Sequence, residues 1–395
     1  MVRRFTFVVL VAALPFLPLC VYWSPVEDEL GTAEMRDGLA AVGARVTRTG
    51  FVEALELIDP HDQLASYLTI QHASVSVYRD THHFERLAEV PLRSTPLTEH
   101  TTPRSMIIDP GHWGGTWAEA EKRNYAVPGG PAIPEGEVAL KTALRIRDKL
   151  ADQKVTLTRT MNATAEFPAG IRPAYDLHRE RRLAARESYN PLLPWVTPID
   201  WVLFGPDMYA DRAFDLYTRY DLRARVADAS IDDVFISIHY NIASQRQTNG
   251  LMAFVYGDAL DGELRTPTQR YWAIRRALDG TLPRSIALAR TLANAMQRRM
   301  QLPALAPDPD EVKVNRTVLD AAAGLHARNL AVLRRARGVA VLLEGPCLNA
   351  PEEYQRFTGE LVVIDGMTIP VRAEEYADAV AMGLREFFAN VVMRP

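Results

Sequence analysis

Three uninterrupted apolar runs, each ending at a chemically functional side chain, constrain this chain most. Met106-Ile107-Ile108 leads into Asp109-Pro110-Gly111-His112, Val234-Phe235-Ile236-Ser237-Ile238 into His239, and Val339-Ala340-Val341-Leu342-Leu343 into Glu344. A strand wet on one face alternates apolar and polar residues. A run without alternation is dry on both faces, as in parallel strands covered by helices. Residues with helical periodicity surround these runs. In 135–150, Ala139, Ala143, Ile146 and Leu150 share a face; in 285–300, Ala289, Ala293, Met296 and Met300 do. Residues 376–388 close the chain with Tyr376, Ala379, Val380, Gly383, Leu384, Phe387 and Phe388 on one side. Shorter strands are expected at 155–158 and 251–256. The pattern predicts an α/β fold: a mainly parallel sheet flanked by helices on both faces, with large insertions and a small N-terminal region.

The remaining segments divide the chain into units. Residues 1–24 begin with Arg3 and Arg4 and continue as an apolar run broken by Pro15 and Pro18. That is the layout of an export signal or an uncleaved membrane anchor, with lipidation at Cys20 a third reading. Each places the body outside the cytoplasm, in the periplasm or cell envelope, and any membrane contact would be through this segment alone. Residues 25–103 form a region and linker of unassigned role, with short helices at 34–42 and 52–58 and a strand at 73–78. His82 and His83 are adjacent there, but neighbouring side chains converge poorly on one ion, so they are expected to face solvent. Residues 104–395 form the main domain, with insertions at 160–221 and 257–283. The first insertion is rich in Pro, Trp and Tyr and suits a groove wall or a cover for a sheet edge. The second is more polar. Both are expected near the strand ends that carry the functional residues.

Composition excludes several classes. With 45 Lys plus Arg against 49 Asp plus Glu, the net charge is −4, so no nucleic-acid partner is expected. Two cysteines, Cys20 and Cys347, cannot build a disulfide scaffold. Cys347 is expected to be a buried small side chain rather than a ligand.

In a parallel sheet, ligands bind beyond the carboxyl ends of the strands. His112, His239 and Glu344 all sit at such ends. Two imidazoles and carboxylates gathered along one edge make a zinc site chemically reasonable.

These residues also carry a family resemblance. Ile108-Asp109-Pro110-Gly111-His112, Glu135 at a helix start, Ser237-Ile238-His239-Tyr240-Asn241, and Leu343-Glu344 before Leu348-Asn349 resemble the zinc-dependent N-acetylmuramoyl-L-alanine amidases of cell-wall turnover. The resemblance runs from about residue 106 to the C-terminus. It implies one zinc ion per chain, held by His112, Glu135 and His239, with Glu344 as the catalytic carboxylate. Glu135, Glu137 and Leu140 fit the spacing of the family's helix. Glu135 and Glu137 are two steps and about 200° apart, so only one can face an ion, and Glu135 is preferred. Glu121 is a remoter candidate, expected in a loop beside Lys122 or Arg123. Arg159, Arg223 and Arg328 are candidates for steadying a developing oxyanion or holding an acidic stem peptide. His326 could donate to substrate or support the site from behind. Trp113, where the family has a small residue, either walls the site and stacks on substrate or packs over its loop.

The implied activity is hydrolysis of the amide between N-acetylmuramic acid and L-alanine in peptidoglycan, with water as nucleophile and Glu344 as general base. Alternatives are a zinc peptidase or amidase with another amide substrate, and an inactive envelope protein that binds metal or glycan. Glu344 separates these, because ion binding needs three residues and turnover needs all four.

Overall fold

A computed structural model describes residues 30–96, 105–112, 123–159, 226, 233–242, 248–305 and 317–392. The apolar N-terminal segment and the aromatic-rich stretch 160–221 lie outside the described residues. Among the described residues, no helix is long and apolar enough to cross a membrane.

The N-terminal region packs α1 (Thr32–Ala40) and α2 (Arg48–Ile58) with an antiparallel sheet of β1 (Leu68–Ile70), β2 (Ser74–Tyr78) and β3 (Arg86–Pro91). The Thr47 side chain caps α2 by accepting the Gly50 amide, satisfying one otherwise orphaned N–H. Met35, Leu39, Phe51, Ile58, Val75 and Val90 bury the apolar faces of these elements. His82 and His83 are exposed.

The main domain follows with β4 (Met106–Pro110), the short pair β5 (Asn124–Tyr125) and β6 (Ile133–Pro134), then α3 (Glu135–Lys149), β7 (Val155–Leu157), β8 (Val234–Asn241) and β9 (Met252–Tyr256). After these come α4 (Pro267–Leu278), α5 (Leu282–Met300), β10 (Thr317–Asp320), β11 (Leu325–Arg328), α6 (Ala331–Arg335) and β12 (Val339–Cys347). The chain ends with α7 (Pro351–Gly359), the hairpin β13 (Leu361–Ile364) and β14 (Met367–Pro370), and α8 (Val371–Val392).

One seven-stranded sheet organises the domain, in the order β10-β11-β9-β12-β8-β4-β7. The ladders from β12 through β8 and β4 to β7 are all parallel. Of these, β12, β8 and β4 carry the apolar runs, and the five apolar residues Val339 to Leu343 of β12 are all buried. At roughly 1.5–3 kcal/mol per buried Val or Leu side chain, such strands are fixed in the centre of the sheet. Helix α8 packs on both α3 and α5; α3 packs on β4 and β8, and α5 on β9 and β12.

The sheet is mixed rather than uniformly parallel. β9 runs antiparallel to β12, β11 is parallel to β9, and β10 is antiparallel to β11. This reversal corrects the expected placement of residues 257–283. Met252 at the start of β9 aligns with Glu344, so the chain leaves β9 at the opposite edge of the sheet. The segment is not a polar excursion either. Its helix α4 opens with a Thr266–Gln269 capping box and Pro267, and buries Tyr271, Ile274, Ala277 and Leu278. It docks the N-terminal region: the amides of Asp258 and Ala259 donate to the carbonyls of Leu57 and Ile58, and Gln63 exchanges bonds with Leu260 and Gly262. Tyr271 packs so closely on Gly38 that a Cβ there would lie 2.0 Å from its hydroxyl.

Helix α8 is tied to α7 by a buried ion pair. Arg372 donates to both oxygens of Glu353, at 2.8 and 2.7 Å, and also to the Met300 carbonyl. Both side chains are 3% exposed. Arg372→Ala leaves Glu353 as an uncompensated buried charge and is expected to cost about 3–5 kcal/mol. Denaturant titration of the variant against the parent protein checks this, and a loss below about 1 kcal/mol would contradict it.

Candidate metal centre

Three elements deliver three donor groups to one point. His112 follows β4, Glu135 is the first residue of α3, and His239 lies near the end of β8. Their candidate ligand atoms all fall within 4.8 Å of one another, and this is the only such His, Cys, Asp and Glu group found among the described residues. Glu135 Oε1 stands 3.6 Å from His112 Nε2 and 3.4 Å from His239 Nδ1. The two imidazole rings meet edge to face, 4.9 Å between centroids and 90° apart. Of the two glutamates on the first turn of α3, it is Glu135 that joins the histidines. Cys347 is buried with its Sγ towards the Gly250 carbonyl and is not in the group.

The backbone explains why the motif has this form. Gly111 bonds through its amide to the Ile238 carbonyl at 2.7 Å. A Cβ on Gly111 would lie 2.3–2.5 Å from three atoms of the His239 ring, so only glycine lets the chain pass. His112 then takes a left-handed φ of 53°. For a non-glycine residue this costs on the order of 1–3 kcal/mol, and such strain persists where the surroundings impose it. Arg159, 4% exposed, helps impose it by donating to the Pro110 carbonyl.

Glu135 is 1% exposed. Its Oε1 also accepts the Tyr240 amide at 3.1 Å. Its Oε2 is buried without a hydrogen-bond partner, and Arg123 Nη1 lies 3.8 Å away. Burial alone would raise this carboxyl. The charge of His112, the bond and charge of His239, and Arg123 outweigh it, so Glu135 is held below the usual carboxylate range.

Glu344 stands beside His239 in the parallel register of β12 and β8. Burial, followed by the negative charge of Glu135, raises its carboxyl well above the ordinary value, while Arg123 and Arg328 pull the other way.

The other sequence candidates fall in different places. Arg328 ends β11 and aligns with Tyr256, at the far end of β9 from the residue that pairs with Glu344. Its guanidinium leans back over the Phe254 ring, 6.0 Å from the centroid. His326 is buried on β11, its ring 5.7 Å from that of Phe254. Trp113, Glu121 and Arg223 lie outside the described residues. Arg123 was missed as a site residue. It directly precedes a two-residue strand, so no periodicity marked it. Asp109 and Ser237 were quoted within motifs without a role; both are fully buried directly behind the ligands.

Residues 205–361 match the N-acetylmuramoyl-L-alanine amidase family, Amidase_3. No curated protein sequence gives a match. Among solved structures, this chain is similar to an N-acetylmuramoyl-L-alanine amidase from Clostridium difficile 630, at 16% identity and a TM-score of 0.37, over 73% of this chain and 98% of that one. It is also similar to the CwlD amidase of Clostridioides difficile, solved with the GerS lipoprotein, at 14% identity and a TM-score of 0.41, over 73% and 99% of the two chains. A third is the catalytic domain of CwlV from Bacillus (Paenibacillus) polymyxa, at 17% identity and a TM-score of 0.38, over 72% and 98%.

Gly111→Ala is expected to leave the fold intact, displace His239, and weaken divalent-ion binding by about tenfold or more. Metal titration of the purified variant checks this, and affinity equal to the parent's would contradict it.

Proposed function

We propose that this chain is a zinc-dependent N-acetylmuramoyl-L-alanine amidase, hydrolysing the amide between N-acetylmuramic acid and L-alanine in peptidoglycan. The observation that carries this reading is the triangle of His112 Nε2, Glu135 Oε1 and His239 Nδ1. Two ligands about 2.0–2.1 Å from a tetrahedral ion stand about 3.3–3.4 Å apart. The glutamate oxygen lies 3.6 and 3.4 Å from the two nitrogens, close to that spacing. Two imidazoles and one carboxylate are a donor set suited to zinc, with a coordination position left open. The unbonded Glu135 Oε2 points the same way, since a buried anion needs a compensating charge.

Zinc, when bound, supplies a Lewis acid that polarises a carbonyl and makes water acidic enough to attack at neutral pH. The protein's own contribution is proton handling and charge. Glu344 stands next to His239 at the strand ends, where a carboxylate can exchange a proton with water at the site. It would take the proton of the attacking water and deliver it to the departing amide nitrogen. Arg123, 43% exposed, adds a cation at the rim, where it can meet a developing oxyanion or an acidic stem peptide.

The organisation that accompanies this reading is an export signal or anchor at 1–24, an N-terminal region at 25–103, and an amidase domain at 104–395 acting in the periplasm or cell envelope. Substrate contacts from Trp113, Arg159, Arg223 and Arg328 belong to the proposal. Arg159 is the least suited of these, being buried against the Pro110 carbonyl.

Glu344→Gln is expected to retain about one zinc per chain and lose release of stem peptides from purified sacculi by at least about 100-fold. Persistent turnover would remove Glu344 from the chemistry. Chelation should abolish activity, with recovery on adding zinc. A protein that takes up no metal would defeat the proposal.

A further inference from the structure

Behind the candidate metal centre lies a buried hydroxyl and carboxylate relay with no assigned part in hydrolysis. Asp109 sits on β4 between β7 and β8 and is fully buried. Thr158, just past β7, donates its hydroxyl to Asp109 Oδ1 at 2.7 Å. Ser237 on β8 donates to Asp109 Oδ2, also at 2.7 Å. Ser237 Oγ is in turn 3.1 Å from His239 Nε2. The opposite nitrogen of the same ring, Nδ1, is the one that faces Glu135 at 3.4 Å.

We propose that Asp109, acting through Ser237, is a positioning residue that fixes the tautomer and orientation of His239. The inference rests on the metal-centre reading above. A serine hydroxyl has one proton to give. Here that proton goes to Asp109, so towards His239 the serine oxygen can only accept. His239 Nε2 must therefore carry the ring proton and donate it. In a neutral imidazole the other nitrogen then presents its lone pair, and Nδ1 is aimed at the gap shared with Glu135 and His112. Thr158 occupies the second carboxylate oxygen, which prevents Asp109 from turning away. Residues on two adjacent strands and just beyond a third thus set one proton on one ring. No proton moves in the process; the relay prepares the ligand before an ion arrives.

The position in the sheet supports this. Asp109 and Ser237 are register partners across the parallel β4–β8 ladder. Their separation is therefore set by backbone hydrogen bonds rather than by flexible side chains. A buried carboxylate is costly unless fully bonded, and here both its oxygens accept from hydroxyls.

The test uses the full chain with histidines labelled by ¹⁵N, free of metal and then titrated with zinc. In the parent protein the His239 signal, assigned by its disappearance in His239→Gln, is expected to report the Nε2-protonated tautomer. Asp109→Asn puts an amide donor behind Ser237, freeing the serine proton to turn towards His239. The expected result is a shift towards the Nδ1-protonated form and zinc affinity weakened by about 10–100-fold. Ser237→Ala, a smaller change that keeps the carboxylate, should give a mixture of tautomers and a similar loss of affinity. It serves if Asp109→Asn does not fold. An unchanged tautomer with unchanged zinc affinity in either folded variant overturns the proposal. If the parent protein itself binds no zinc, the proposed function fails instead, while the tautomer measurement on the metal-free protein still decides the relay.

Discussion

Glu135 is the point on which the arrangement turns. A carboxylate almost wholly removed from water must be compensated, and here the compensation comes from two imidazoles, a backbone amide and a rim arginine. Each partner arrives from a different part of the chain. His112 requires the end of β4, His239 and the Tyr240 amide require β8, and Glu135 requires α3 to begin where it does. The donors can meet only if the sheet order β12-β8-β4 and the packing of α3 are both in place. The core that the apolar runs build is therefore also the scaffold that fixes the chemistry.

The local backbone accepts strain to reach this point. His112 adopts a conformation that non-glycine residues avoid, and Gly111 lets the chain brush against the His239 ring. Arg159 and the Ile238 carbonyl hold the turn from opposite sides. The packing around Tyr240 is equally determined. Tyr240 turns away from the donors to bond Thr142 at 2.6 Å, and packs edge-on against Tyr376 and Phe357. Gly345, directly after Glu344, leaves the room that the Tyr376 ring occupies.

The elements that hold the site were legible in the sequence because parallel strands dry on both faces read as unbroken apolar runs. The placement of His112 and His239 was legible for the same reason, since each lies at or just past the end of a strand whose direction is forced; Glu135 was legible only through the family resemblance, whose helix spacing it fits. The direction of β9 was not. Met252 to Tyr256 is apolar throughout, and an apolar run carries no sign of which way it points; the reversal appears only in its pairing with β12. Helix α4 lies in the segment whose composition is the more polar of the two insertions, yet it is not solvated. In the fold Arg270, Arg275 and Arg276 are buried, Arg276 pairing with Asp279 and bonding the Gly338 carbonyl. Charge counted along a sequence misses this, since burial of a charge depends on a partner brought from elsewhere.

The backward course of β9 separates two kinds of freedom. Chain added after a forward strand emerges among the reacting groups, where any growth alters what can approach them. Chain added after β9 emerges on the opposite rim, where it has become the cradle for the N-terminal helices and their small sheet. Material can accumulate or be exchanged there with little effect on the chemistry, because the full height of the sheet lies between the two.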